Sequence, residues 1–260
     1  MPAVLTFDQY LDQIAAVGER LAATAEQTGL HAKVPTCPSW SVAKLLAHQT
    51  TVHRWAAAEV SRSGADTPSQ TSVLRLHRND LVDFYRDGLR NLLDTLRAAP
   101  ADLQAMTFLN DVDSPRTFWA RRQAHELTIH FVDGLSAREG GVPTTDVAVS
   151  EAGLDARFAT DGLDELLRGF FTRGTSRLYD GTTFQMAVLP SDSDQAFHLT
   201  VGPQLTVSSE PVDDTGPQVT LRGTSAALHL ALWNRGDDIE VAGDHAVVQR
   251  WRATQRIRWS

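Results

Sequence analysis

The 260-residue chain contains one cysteine, Cys37, and two lysines, Lys33 and Lys44. A single cysteine excludes an internal disulfide framework and fits a reducing compartment. With a formal net charge of -8 and no dense basic stripe, the sequence argues against a nucleic-acid partner. The apolar runs are too short to cross a bilayer, and the first residues lack the basic and apolar segments of a signal peptide. We therefore expect a cytoplasmic protein that binds neither nucleic acid nor a membrane.

The composition is that of an ordinary globular protein, with 42% hydrophobic and 22% charged residues. The length suits one large or two modest domains. Cys37 stands between two prolines and has no base near it in the sequence, so we expect it to be structural rather than nucleophilic. No internal repeat is present, and the sequence does not indicate an oligomeric state.

The first half of the chain predicts four amphipathic helices of similar length. Their apolar residues recur at helical spacing, and capping residues or breakers mark their ends. The predicted helices run from Thr6 to Gly29, from Ser41 to Ser61, from Asn79 to Ala99 and from Pro115 to Ser136. The Ser-, Thr-, Gly- and Pro-rich residues 61–72 read as a loop. Matched amphipathic helices favour an up-down four-helix bundle.

The second half predicts a different class of structure, in which strands alternate with helices. Alternating apolar residues indicate several short strands, and a long helix is predicted over residues 150–171. The predicted strands cover residues 183–189, 197–201, 205–208, 218–221 and 239–241. The fold class is thus α+β, with a helical bundle over residues 1–145. A domain with an antiparallel sheet is expected over residues 146–260.

Two ionisable residues of the fourth helix have the spacing of metal ligands. Glu126 and His130 are four residues apart and share one helix face. His48 has the same helical phase as the apolar residues around it, so it should also face the bundle interior. A catalytic zinc site takes three such protein ligands and keeps one position open. A buried His–Glu–His hydrogen-bond network without metal satisfies the same pattern, and the spacing alone leaves both readings open.

Neighbouring polar residues are expected to play smaller parts. His125 points about 100° away from Glu126 on the helix, and His53 faces elsewhere than His48. Asp133, three residues after His130, is either a carboxylate that holds a neighbouring group or one half of a helix-end salt bridge. Arg121 and Arg122 are expected to form ion pairs between helices.

Two segments together resemble the mycothiol-dependent maleylpyruvate isomerase family. Residues 34–48 (VPTCPSWSVAKLLAH) contain a Pro-x-Trp-Ser/Thr helix start that leads to Leu-x-x-His. Residues 119–133 (WARRQAHELTIHFVD) contain His-Glu-x-x-x-His. Looser similarity covers residues 220–228, 232–235 and 241–244, so the resemblance extends over nearly the whole chain. It implies a DinB-like metal-binding four-helix bundle followed by a domain related to sterol carrier proteins.

The resemblance also implies the chemistry. His48, Glu126 and His130 correspond to zinc ligands, and the open coordination position implies mycothiol bound as a thiolate, whose pKa the metal lowers. An arginine of the second domain, Arg235, is the implied anchor for an acidic substrate. A helix-end arginine that bonds its own carbonyl groups is the alternative role for Arg235. Other cofactor-binding residues are not identified.

We therefore expect a zinc enzyme, or one using another divalent metal, that activates mycothiol. Its reaction is expected to be cis–trans isomerisation of a small electrophile such as maleylpyruvate, or S-transfer to one. The alternative is a non-catalytic small-molecule or lipid-binding protein with a structural metal or none. Coordination number separates the two, because a structural site is closed by a fourth protein ligand.

Overall fold

The computed structural model describes residues 5–77, 79–110, 112–212 and 216–255. Residues 1–4 and 256–260, at the outer ends of the two predicted domains, lie outside the described part. The chain forms two compact units, the first comprising residues 1–108 and 112–153 and the second residues 109–111 and 154–260. The predicted boundary near residue 145 falls at the start of a short helix that belongs to the first unit. As a division between independently folding domains, that boundary stays a prediction.

The first unit contains the four predicted long helices. They are α1 (Phe7–Thr28), α2 (Val42–Ser61), α4 (Leu81–Ala98) and α5 (Pro115–Glu139), with the short helices α3 (Gln70–Leu76) and α6 (Thr145–Ala152). Helix α1 packs mainly on α5 and α4, and α2 packs on α4 and α5. The predicted four-helix arrangement is confirmed. The loop expected over residues 61–72 is wrong at its end, because α3 begins at Gln70.

The helix boundaries follow local capping chemistry. The side chains of Thr6, Ser41 and Ser114 each accept a backbone N–H of the first turn of α1, α2 and α5. Helix α5 ends at Gly140, whose φ of 69° is the left-handed conformation that glycine adopts without strain. These signals are readable from sequence, which is why the predicted ends lie close to the observed ones.

Helix α5 is the most deeply buried element of the first unit. Of its 25 residues, 18 are buried, including polar ones such as Arg122, Glu126 and Asp133. Polar groups enclosed in this way need partners within the protein. The polar residues of α5 are therefore candidates for a functional site.

The second unit is built around a five-stranded sheet with the order β3-β2-β1-β4-β5. The strands are β1 (Phe184–Pro190), β2 (Phe197–Val201), β3 (Leu205–Ser208), β4 (Val219–Gly223) and β5 (Glu240–Gly243). The described helices of this unit are α7 (Ala156–Asp164), a π-helical turn over Glu165–Phe170, α8 (Ser225–Leu232) and α9 (His245–Thr254). The α+β class is confirmed. The sheet is antiparallel except for the pair β1 and β4, which is parallel.

The long helix predicted over residues 150–171 is wrong. Helix α6 ends at Ala152, and Gly153 follows with a φ of 65°. Asp155 then caps the new helix α7 through its side chain. The apolar periodicity continues across the break. The prediction followed that periodicity instead of the two local signals, Gly153 and Asp155. Within the described residues, no helix has the length and apolar character needed to span a membrane.

Candidate metal centre

Three predicted ligands meet inside the first unit. His48 extends from α2, and Glu126 and His130 extend from α5. One carboxylate oxygen, Oε1 of Glu126, lies 3.2 Å from Nε2 of His48 and 3.2 Å from Nε2 of His130. One ligand atom from each residue lies within 4.8 Å of the other two. Two helices therefore present two imidazoles and one carboxylate to a common point.

The spacing of these atoms suits a divalent ion. Metal–ligand bonds of about 2.0–2.1 Å in a tetrahedral zinc site place neighbouring ligand atoms roughly 3.3 Å apart. The two distances of 3.2 Å agree with that value. Two nitrogens and one oxygen also form the donor set of catalytic zinc sites that keep an open position. The residues present thus fit a zinc ion or a similar divalent metal.

Glu126 is held as a carboxylate by its surroundings. Its second oxygen, Oε2, accepts a hydrogen bond of 2.8 Å from Nη2 of the buried Arg122. Burial acts to raise the pKa of Glu126, but His130, His48 and Arg122 together lower it well below its usual range. This pair lies within α5 at i,i+4 spacing, and the expectation that Arg122 also pairs between helices stays a prediction. Arg122 thus serves the centre through Glu126.

The two histidines differ in their electrostatic surroundings. Burial lowers the pKa of His48 and outweighs the opposing effect of its hydrogen bond to Glu126, and the nearby His130 adds to the lowering. Burial acts in the same direction on His130, but Glu126 and Asp133 outweigh it and raise the pKa of His130 to about 9. Without metal, a proton on Nε2 of His130 satisfies Glu126 through a hydrogen bond. A divalent metal ion bound by these residues would take the place of that proton.

Asp133 lies directly behind His130. Its Oδ2 atom is 2.9 Å from Nδ1 of His130, and its side chain is fully buried. Of the two readings of Asp133, the structure shows the carboxylate that holds the histidine. Oδ1 accepts a 2.6 Å hydrogen bond from the hydroxyl of Thr36. Thr36 is a contact that the sequence did not indicate, since nothing in the local pattern relates residue 36 to residue 133.

The other candidate residues lie outside the ligand cluster. His53 is buried, and its ring centroid lies 5.4 Å from that of Tyr85 on α4. His125 is buried as well, and its ring meets the edge of Tyr10 on α1 at 6.2 Å. Their predicted orientation away from the site agrees with these positions.

Arg235 follows α8 in the second unit. Its Nη1 donates a 2.8 Å hydrogen bond to the carbonyl oxygen of Trp233. This contact belongs to the helix-end role that the sequence left open beside substrate binding. The role of Arg235 as a substrate anchor stays a prediction.

Comparison with known proteins gives a consistent result over most of the chain. Residues 11–133 match the family model of the mycothiol maleylpyruvate isomerase N-terminal domain, and residues 157–250 match that of the family's C-terminal domain. No curated protein sequence matches the chain.

Two solved structures have a similar fold. One is a crystal structure of the mycothiol-dependent maleylpyruvate isomerase, with a TM-score of 0.61 at 14% identity, and the alignment covers 93% of this chain and 96% of that one. The second is a histidine-to-alanine mutant of that isomerase, with a TM-score of 0.60 at the same identity and coverage. At 14% identity, the structural similarity establishes the fold only. Family membership is established by the two family models. The chain belongs to the mycothiol-dependent maleylpyruvate isomerase family.

Proposed function

We propose that the chain is a metal-dependent enzyme that uses mycothiol as its thiol cofactor and acts on a small electrophilic substrate. The observation that carries the proposal is the meeting of His48, Glu126 and His130 around one point in the bundle. The family membership supports the choice of thiol and of reaction class. Zinc is the proposed metal, because two imidazoles and one carboxylate suit its preferences.

The protein's own groups prepare the ligands for a cation. Arg122 keeps Glu126 ionised, and Asp133 accepts a hydrogen bond from the Nδ1–H group of His130, which leaves Nε2 directed at the metal position. Burial favours the neutral form of His48 by lowering its pKa, and a neutral imidazole is the form that binds metal. A bound divalent metal supplies a Lewis acid that lowers the pKa of a coordinated thiol.

The proposed reaction is cis–trans isomerisation of a conjugated acid such as maleylpyruvate. S-transfer to an electrophile is the related reaction that the same thiol chemistry allows. Arg235 remains the proposed anchor for the substrate's carboxylate, on the resemblance alone. A cytoplasmic location also stays a prediction, consistent with one cysteine and a reduced thiol cofactor.

The test is a spectroscopic titration of the cobalt-substituted protein with mycothiol. We expect one metal ion per chain and new absorption from a cobalt–thiolate bond when mycothiol is added. Replacing His48 by alanine should remove tight metal binding and, with it, isomerase activity toward maleylpyruvate. The matched control is His53→Ala, which truncates a buried histidine on the same helix that is not a ligand.

Two results contradict the proposal. One is a wild-type protein that binds no divalent metal at micromolar concentration. The other is a cobalt spectrum that mycothiol and other small thiols leave unchanged. A closed site with a fourth protein ligand gives the second result and favours the non-catalytic binding protein.

A further inference from the structure

The segment between α1 and α2 is a closed turn that leads directly into the metal centre. The backbone N–H of Val34 donates to the carbonyl oxygen of Trp40 at 3.2 Å. The backbone N–H of Trp40 donates to the carbonyl oxygen of Cys37 at 2.7 Å. An isolated β-bridge between Lys33 and Ser41 joins its two ends. We call residues 34–40 the clamp loop. Its backbone is held by its own hydrogen bonds, which fixes the points from which its side chains extend.

Two side chains of the clamp loop contact Asp133. The hydroxyl of Thr36 donates to Oδ1 at 2.6 Å, and the thiol of Cys37 lies 3.5 Å from Oδ2. That same Oδ2 is 2.9 Å from Nδ1 of His130. A carboxylate only accepts hydrogen bonds, so Nδ1 of His130 carries the proton and Nε2 faces Glu126 and the metal position.

A third side chain of the clamp loop contacts both histidine ligands. The ring of Trp40 is stacked on that of His130, with the centroids 5.6 Å apart and the planes at 12°. The ring centroid of His48 lies 5.0 Å from that of Trp40. Rotation of either imidazole about its side-chain bonds is therefore opposed by an indole.

We propose that the clamp loop and Asp133 are positioning elements that fix the orientation of His48 and His130 for metal binding. The proposal rests on the proposed metal site and adds to it the residues that control the site's affinity. Thr36 acts through Asp133 on His130, and Trp40 acts directly on both rings. None of the three is a metal ligand.

The magnitude of such effects separates this role from simple packing. Partners that hold a metal-binding histidine change metal affinity by about 10- to 100-fold when they are removed. A residue that only stabilises the fold changes the unfolding temperature and leaves the affinity of the folded protein unchanged. Zinc affinity, measured on protein shown to be folded, is therefore the deciding quantity.

The experiment measures zinc dissociation constants by competition with a chelator. We expect Asp133→Ala to weaken binding about 10- to 100-fold and Thr36→Val to weaken it several-fold. Thr36→Ser should restore it, because the hydroxyl remains. The matched control is Thr160→Val, which removes the buried hydroxyl that lies 2.8 Å from Ser225 in the second unit. Its zinc affinity should equal that of the wild type.

A second readout does not require metal. Proton NMR of the metal-free protein should show a downfield, slowly exchanging Nδ1–H signal of His130. That signal should be lost in Asp133→Ala and exchange faster in Thr36→Val. If Asp133→Ala does not fold, Thr36→Val provides both measurements.

The outcomes distinguish the two proposals. Wild-type zinc affinity in folded Thr36→Val, together with an unchanged Nδ1–H signal, overturns the positioning role. If the wild type binds no zinc, the proposed function fails. The Nδ1–H signal then still decides whether Asp133 and Thr36 orient His130. Absence of this signal from the wild-type protein refutes the positioning role of the clamp loop and Asp133.

Discussion

At the scale of single residues, the proposed metal centre depends on a buried charge that is fully partnered. Glu126 is 3% exposed, and its carboxylate meets Arg122 on one side and the two histidines on the other. Removing one member of such a buried group leaves another charge without compensation, which costs several kcal/mol. Glu126→Gln would therefore both abolish metal binding and destabilise the fold, and a loss of activity could not be assigned to either cause. His48→Ala removes a proposed ligand at lower structural risk, because burial lowers the pKa of His48 and Arg122 and His130 still pair with Glu126.

His53 provides a prediction at the same scale. Both of its ring nitrogens are buried and have no hydrogen-bond partner among the described residues. An unsatisfied buried polar group costs about 1–3 kcal/mol. We expect His53→Leu to raise the free energy of unfolding by about 1–2 kcal/mol at pH 8, as measured by chemical denaturation.

The advantage of His53→Leu should grow on acidification. Burial lowers the pKa of His53 from 6.5 to about 3; among its neighbours Glu126 opposes this shift, and His48 and Arg54 reinforce it. Between those two values the unfolded chain binds a proton that the folded wild type does not. The stability of the wild type relative to His53→Leu therefore falls as the pH drops below 6.5, by about 1.4 kcal/mol per pH unit. A constant difference between the two proteins from pH 8 to pH 5 would refute this account.

At the scale of elements, two glycines of the first unit test how closely the helices pack. A Cβ built on Gly18 of α1 would lie 2.5 and 2.7 Å from the two methyl groups of Leu89 on α4. A Cβ on Gly88 would meet its nearest neighbour, Nε of Arg54, at 3.7 Å, an ordinary contact. Only the first position is therefore closed to a methyl group.

The two alanine variants should have opposite effects on stability. Glycine costs a helix interior about 1 kcal/mol relative to alanine, so Gly88→Ala should stabilise the protein by up to about 1 kcal/mol. Gly18→Ala gains the same stabilisation of the helix but overpacks the core. We therefore expect it to lower the free energy of unfolding by about 1–2 kcal/mol. Thermal and denaturant unfolding of the pair provide the measurement. Equal stability of both variants would show that Leu89 moves aside freely.

At the scale of the whole molecule, the two units should respond differently to metal. All three proposed ligands belong to the first unit, and none belongs to the second. A ligand that binds only the folded state stabilises it by about 2.7 kcal/mol at 100 times its dissociation constant. Zinc should therefore protect the backbone amides of the first unit from hydrogen exchange and leave those of the second unit unprotected.

Hydrogen exchange followed by mass spectrometry tests this expectation. Zinc at 100 times its dissociation constant should slow exchange in peptides from α2 and α5 by up to about 100-fold. Peptides from the strands β1 to β4 should be unaffected. His48→Ala should abolish the protection, and protection spread equally over both units would argue against a site confined to the bundle.

Much of the fold follows from local patterns in the sequence. Capping residues such as Thr6, Ser41 and Ser114 act on backbone groups two or three positions away, so their effect is visible without a structure. The spacing of Glu126 and His130 fixes their shared helix face for the same reason. The break at Gly153 was also a local signal, but the apolar period that continues past it outweighed the glycine in the prediction.

The sequence by itself determined the four long helices of the first unit, the α+β class and the pairing of Glu126 with His130, because each depends on neighbours along the chain. Only the tertiary structure decided that His48 reaches the same carboxylate oxygen, that Thr36 bonds Asp133, and that β1 and β4 run parallel. Those contacts join residues many positions apart. Their geometry is set by how whole elements pack, and no periodicity or cap encodes it.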